Sequence, residues 1–126
     1  MSDPNLIISY VNNTMVSYEF YSIILRKAPI EASPTFAMFG LESGMMLGLS
    51  SRHSVAPAVV ASPGASELAF ALSDRAAVDD RFHDWTGRGL RIVQTPTAMD
   101  FGYTFVALDP DGHRLRVFAP AAGAAA

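Results

Sequence analysis

Cysteine is absent from the chain, which removes thiolate nucleophiles, disulfides and thiolate metal sites together. Three histidines remain: His53, His83 and His113. His53 falls in a Ser/Ala/Pro-rich stretch, His83 sits in a helical pattern beside Asp84, and His113 follows a turn. Their spacing matches no metal or triad signature, so exposed polar residues are the better reading. Asp109 and Asp111, with Gly112, are turn chemistry. Two carboxylates also fall short of the roughly six oxygens that calcium needs. No nucleophile elbow and no phosphate loop is present. Glu67 and Arg116 stand apart, because both lie in strand-like runs expected to be neighbours. Their convergence would either hold a polar group of a ligand or form a salt bridge.

Those residues must be positioned by strands and helices. Leu6 to Val11 is an apolar run stopped by Asn12-Asn13, and it reads as a strand. Val16, Phe20 and Ile24 recur at helical spacing, widened by Tyr21 and Leu25, with Pro29 beyond the end. Thr35–Leu41 and Met45–Ser50 flank Glu42-Ser43-Gly44 as a hairpin. Residues 51–64 form a connector rich in Ser, Ala and Pro. Glu67 to Leu72 is the next strand. Asp74 is then an N-cap, and Val78, Phe82 and Trp85 form a second helical stripe ended by Gly87 and Gly89. Leu90–Gln94 reads as a short strand. Phe101–Leu108 and Arg114–Phe118 make a second hairpin around Asp109-Pro110-Asp111-Gly112. The two halves repeat the same order, so the fold expected is α+β, a tandem pair of βαβββ units. One domain spans 1–126, with module one at about 4–50, module two at about 65–120 and a frayed tail at 121–126.

Alternation along each strand separates a helix-facing set from an open set. Leu68, Phe70, Leu72, Leu115 and Val117 are expected under the helix. Glu67, Ala69, Ala71, Arg114, Arg116 and Phe118 fall on the other face. In the first half, Leu6, Ile8, Tyr10, Met46, Gly48 and Ser50 share that open side. Hairpin pairing adds Tyr103 and Phe105, and also Phe36 and Met38. The result is a cup with aromatic walls and one charged pair, suited to a flat, partly apolar molecule. Each of these aromatics taken alone reads better as ordinary core or a subunit interface; as a set on one face they read equally as a cavity.

Leu108-Asp-Pro-Asp-Gly-His-Arg-Leu-Arg-Val-Phe118, Ser17-Tyr-Glu-Phe-Tyr21 with Leu25, and Phe101-Gly102 resemble the vicinal oxygen chelate superfamily. That superfamily includes glyoxalases, bleomycin-resistance proteins and ring-cleaving dioxygenases. The resemblance implies two βαβββ modules in a half-open barrel, often completed by dimerisation. In metal-dependent members, His and Glu occupy four strand positions, which fall here on Leu6, Gly48, Glu67 and Arg116. Three of the four cannot ligate a divalent ion. The resemblance therefore points to the metal-free branch, whose members sequester antibiotics.

Chain length, 126 residues with half of them apolar, suffices for a core. A net charge of -3 gives no reason to expect nucleic acid or an acidic membrane as partner. No run reaches the ~20 apolar residues of a membrane helix, and the N-terminus lacks a signal-peptide pattern, so the cytoplasm is expected. The function expected is non-catalytic binding of an aromatic antibiotic or metabolite, without metal or cofactor, by a homodimer. Its ligand contacts would be Tyr10, Phe36, Met38, Glu67, Phe101, Tyr103, Phe105 and Arg116. The alternatives are a metal-independent lyase or isomerase with Glu67 as general base, and an interaction module whose open face a partner closes.

Overall fold

In the computed structural model, which describes residues 3–121, the chain groups into two compact units, Met1–Ala61 and Ser62–Ala126. The alanine-rich end at 122–126 and the first two residues lie outside the described residues.

The first unit begins with β1 (Leu6–Val11), whose alternating aliphatics suit a strand. Asn13 stops it and caps α1 (Thr14–Leu25), its side chain accepting from the Val16 N–H at 3.1 Å. Arg26 ends the helix in the left-handed region, at φ 56°. Arg26 N–H bonds Ile23 O and Lys27 N–H bonds Ser22 O, which satisfies the last carbonyls as a Schellman motif. Strands β2 (Glu31–Ala32), β3 (Phe36–Gly40) and β4 (Met46–Ser51) follow. They form a sheet in the order β1-β4-β3-β2, with β1 parallel to β4 and the others antiparallel. Val11, Ala37, Phe39, Leu47 and Leu49 are buried with Tyr21 and Ile24 of the helix.

The stripe that α1 buries is Thr14, Ser17, Tyr21 and Ile24; of the expected Val16, Phe20 and Ile24 with Tyr21 and Leu25, only Tyr21 and Ile24 belong to it. Val16 is exposed. Two small polar residues let the helix lie close on the sheet, and a reading by hydropathy passes over them.

The second unit repeats the order with β5 (Glu67–Ala71), α2 (Arg75–Gly87), β6 (Arg91–Met99), β7 (Gly102–Leu108) and β8 (Arg114–Pro120). Its sheet runs β5-β8-β7-β6, with β5 parallel to β8. Asp74 caps α2 through the Ala77 N–H at 2.8 Å, as its position predicts. Val78 and Trp85 are fully buried. Trp85 meets Phe70 and Phe105 edge-on, each with centroids 5.6 Å apart, an arrangement that the ring quadrupoles favour. Strand β6 extends well past Gln94, with register shifts between Ile92 and Gln94 and between Gln94 and Thr97. Pro96 is tolerated because it falls in the second register shift of an edge strand, where it has no pairing partner. The two βαβββ units match the fold expected from the internal repeat.

Candidate functional site

The second sheet presents one face to α2 and carries the candidate residues on the other, where Thr104 and Val106 are themselves buried. Pairing defines the open face row by row. Glu67, Arg114, Leu108 and Arg91 form one row across β5, β8, β7 and β6. Ala69, Arg116, Val106 and Gln94 form the next, and Ala71, Phe118 and Thr104 follow. Arg116 is the centre. Its Nε donates to Glu67 Oε1 at 2.8 Å and its Nη2 to Oε2 at 3.1 Å, a bidentate fork. Nη1 reaches Thr104 Oγ1 at 3.2 Å and Gln94 Oε1 at 3.4 Å. Arg116 Cζ lies over the Phe101 ring, 5.6 Å from its centroid, and that ring also meets Phe118 edge-on with centroids 6.1 Å apart. Arg114 Nη2 adds a second contact to Glu67 Oε2 at 3.0 Å.

These contacts hold the Glu67 carboxyl below its usual range. The hydrogen bond from Arg116 is the main cause, helped by the charges of Arg116 and Arg114 and opposed by partial burial. Glu67 is thus a fixed anion and a weak base. A general base needs the reverse adjustment, so the geometry speaks against proton abstraction by Glu67.

Two expected ligand contacts sit on the opposite face. Phe105 is fully buried against Phe82 and Trp85, with centroids 5.4 and 5.6 Å away. Tyr103 Oη donates to Asp79 of α2 at 2.7 Å, with the Arg75 guanidinium 4.9 Å from its ring. That bond is the chief reason its phenol is pushed above the usual range. The parity error has a local cause. A four-residue turn over Asp109–Gly112 would pair Phe105 with Arg116. The actual loop includes His113, because Asp109 N–H bonds His113 O and Asp109 Oδ1 accepts the N–H groups of Asp111 and His113. Leu108 therefore pairs with Arg114 and Phe105 with Val117, which moves Tyr103 and Phe105 beneath the helix. In their place the open face receives Thr104 and Val106. Arg114 lies on the face the alternation gave it, whereas Gln94 and Thr104 were not singled out by sequence. The bulges in β6 hid Gln94, and loop length hid Thr104.

In the first unit, β3 and β4 pair Phe36 with Ser50 and Met38 with Gly48. Leu6, Ile8 and Tyr10 align with Met46, Gly48 and Ser50. Phe36, Met38 and Tyr10 therefore share the face turned away from α1, as expected. Gly48 has a particular task there. A Cβ at this position would come within 3.1 Å of the Phe36 ring and 3.4 Å of Ile8, so glycine is what lets the ring lie flat on the sheet.

The family's four metal positions fall on residues that do not fit a divalent ion. Leu6 and Gly48 carry no donor, Gly48 is roofed by Phe36, and Arg116 is a permanent cation. Glu67, the only carboxylate of the four, is already taken by two guanidiniums. No group of three or more His, Asp or Glu able to hold a metal occurs among the described residues.

The chain is 32% identical over 117 residues to the phenazine antibiotic resistance protein EhpR of Enterobacter agglomerans, covering 90% of this chain and 89% of that protein. This chain belongs to the glyoxalase/bleomycin resistance protein/dioxygenase family. A protein of Agrobacterium tumefaciens solved in solution by NMR shares 48% identity, with a TM-score of 0.88 over 96% of this chain and 99% of its own. A glyoxalase-related enzyme from Fulvimarina pelagi shares the family fold at 20% identity, with a TM-score of 0.81 over 94% of this chain and 88% of its own. No family profile matches the chain. As a family member it shows no helix, among the described residues, that is long and apolar enough to cross a membrane.

Proposed function

We propose that this protein binds a flat, largely apolar small molecule without a metal ion, in the manner of an antibiotic-sequestering resistance protein. The observation that carries the reading is the Arg116 fork. It is locked on Glu67, Thr104 and Gln94, and it backs Phe101, a ring left 42% exposed. An immobilised guanidinium behind an exposed ring offers a stacking surface at little entropic cost. Phe36, Met38 and Tyr10 give the first sheet a comparable aromatic and thioether surface, and Met adapts its shape to what it meets. The EhpR relative, named for resistance to a phenazine antibiotic, supports a planar heteroaromatic ligand. The residues proposed for ligand contact are Glu67, Phe101 and Arg116 on the second sheet and, taken separately, Tyr10, Phe36 and Met38 on the first. We assign the protein to the cytoplasm. We also propose a homodimer, because β1 is a sheet edge exposing Leu6, Ile7 and Ile8 in succession.

Phenazine itself is the probe. Saturating phenazine should raise the unfolding midpoint, since about a hundredfold excess over Kd adds ~2.7 kcal/mol of apparent stability. Phe101→Ala should weaken binding about tenfold while the fold survives. Absence of any binding at the solubility limit of phenazine would overturn the reading.

A further inference from the structure

The row that ends in Glu67 carries more positive than negative charge. Arg91 and Arg114 share it, and Arg116 lies one row on along the same face. Glu67 is the single carboxylate among the strand residues of these rows, so the face has a surplus of two positive charges. The chain as a whole is at -3. A cationic patch on an anionic protein concentrates anions locally.

The two central arginines differ in what they have left to give. The donors of Arg116 already meet four acceptor atoms: both oxygens of Glu67, Gln94 Oε1 and Thr104 Oγ1. Arg114 makes one contact, Nη2 to Glu67 Oε2 at 3.0 Å, with its side chain 40% exposed. Its Nε is buried with no acceptor among the described residues. A guanidinium carries five N–H donors, and Arg114 spends one on Glu67 while its side chain stays 40% exposed, so its outer nitrogens can take a further acceptor.

We propose that the open face of the second unit selects an aromatic acid. The ring lies against Phe101, and a carboxylate is received by Arg114, with Arg91 two strands away in the same row. Arg114 and Arg116 are two residues apart on β8, about 7 Å along the strand. Arg116 backs Phe101, so the proposed carboxylate site lies one residue pair along β8 from the guanidinium behind the ring. The inference rests on the ligand-binding reading above and adds the charge of the ligand.

The test compares phenazine with phenazine-1-carboxylate by titration calorimetry on the full chain. The acid should bind about tenfold tighter at low salt, and added salt should shrink the preference. Arg114→Gln should bring the two affinities together, whereas Glu67→Gln should widen the gap by removing the competing carboxylate. Circular dichroism checks that each variant is folded. Should Arg114→Gln fail to fold, Glu67→Gln and the salt series decide. If phenazine binds and the acid binds no better, the charge inference fails while the binding reading stands. A preference for the acid that survives Arg114→Gln, or narrows in Glu67→Gln, overturns the assignment to Arg114. If neither compound binds, the binding reading itself fails, and this inference with it.

Discussion

A carboxylate gripped by two guanidiniums has a signature that titration can read. Glu67 is held below the usual carboxylate range chiefly by its bond from Arg116. A depressed folded pKa means stability that is present above the unfolded value and lost as pH falls through the folded one. The loss should therefore begin below about pH 4.5. Chemical denaturation from pH 7 to pH 2.5 should show a smaller acid-side decline for Glu67→Gln than for the parent. An identical decline would mean that the ion pair contributes nothing to folding. Phe105 offers the contrast at this scale. It is fully buried between Phe82 and Trp85, so Phe105→Ala should lower stability by about 3–5 kcal/mol, the usual range for an aromatic truncated in a core. Its sequence position looked like a ligand contact. What distinguishes the two roles is the inclusion of His113 in the loop, fixed by hydrogen bonds to Asp109 that composition does not reveal.

At the scale of elements, hydropathy and capping residues were legible, while small or irregular features were not. Asp74 and the Val78-Phe82-Trp85 stripe were readable because a capping carboxylate precedes large apolar residues at one period. The packing face of α1 was not, because Thr14 and Ser17 pack by size and not by hydropathy. Strand β2 has two residues, too few to show a period, and Pro96 disguised the second half of β6. Two substitutions test the backbone reading. Arg26 adopts φ 56° at the end of α1, a region that disfavours residues with a Cβ. Arg26→Gly should therefore raise stability by roughly 0.5–1 kcal/mol in urea denaturation. A loss would mean that the side chain contributes more than the strain removes. Gly102 is the opposite case. At φ 153° it packs on β8 so closely that a Cβ would collide with the Ala119 carbonyl oxygen and lie 3.0 Å from Pro120 Cα. Gly102→Ala should cost about 3 kcal/mol or more, because backbone cannot move aside as a side chain can.

At the scale of the molecule, the repeat of βαβββ was visible because matching segments recur in the same order, and that order depends little on which face each residue takes. The placement of the site within each unit depended on registers and loop lengths, each of which can turn a strand by one residue and exchange its faces. Assembly is the remaining consequence of the sheet edges. Strand β1 closes no pairing on its outer side, and Leu6, Ile7 and Ile8 are 39–44% exposed along it. Proteins that remain monomeric commonly protect such an edge with charge, proline or a bulge. β1 contains none of the first two, and its pairing with β4 runs without a register shift. A second copy is the simplest partner, since a two-fold contact satisfies both edges at once. Sedimentation equilibrium at micromolar concentration should therefore find a species of twice 13.5 kDa. Ile7→Lys, which places a charge on the edge without touching the ligand-facing set, should shift it toward the monomer. A parent protein that sediments as a monomer throughout that range would refute the dimer and leave the edge strand to be protected in some other way.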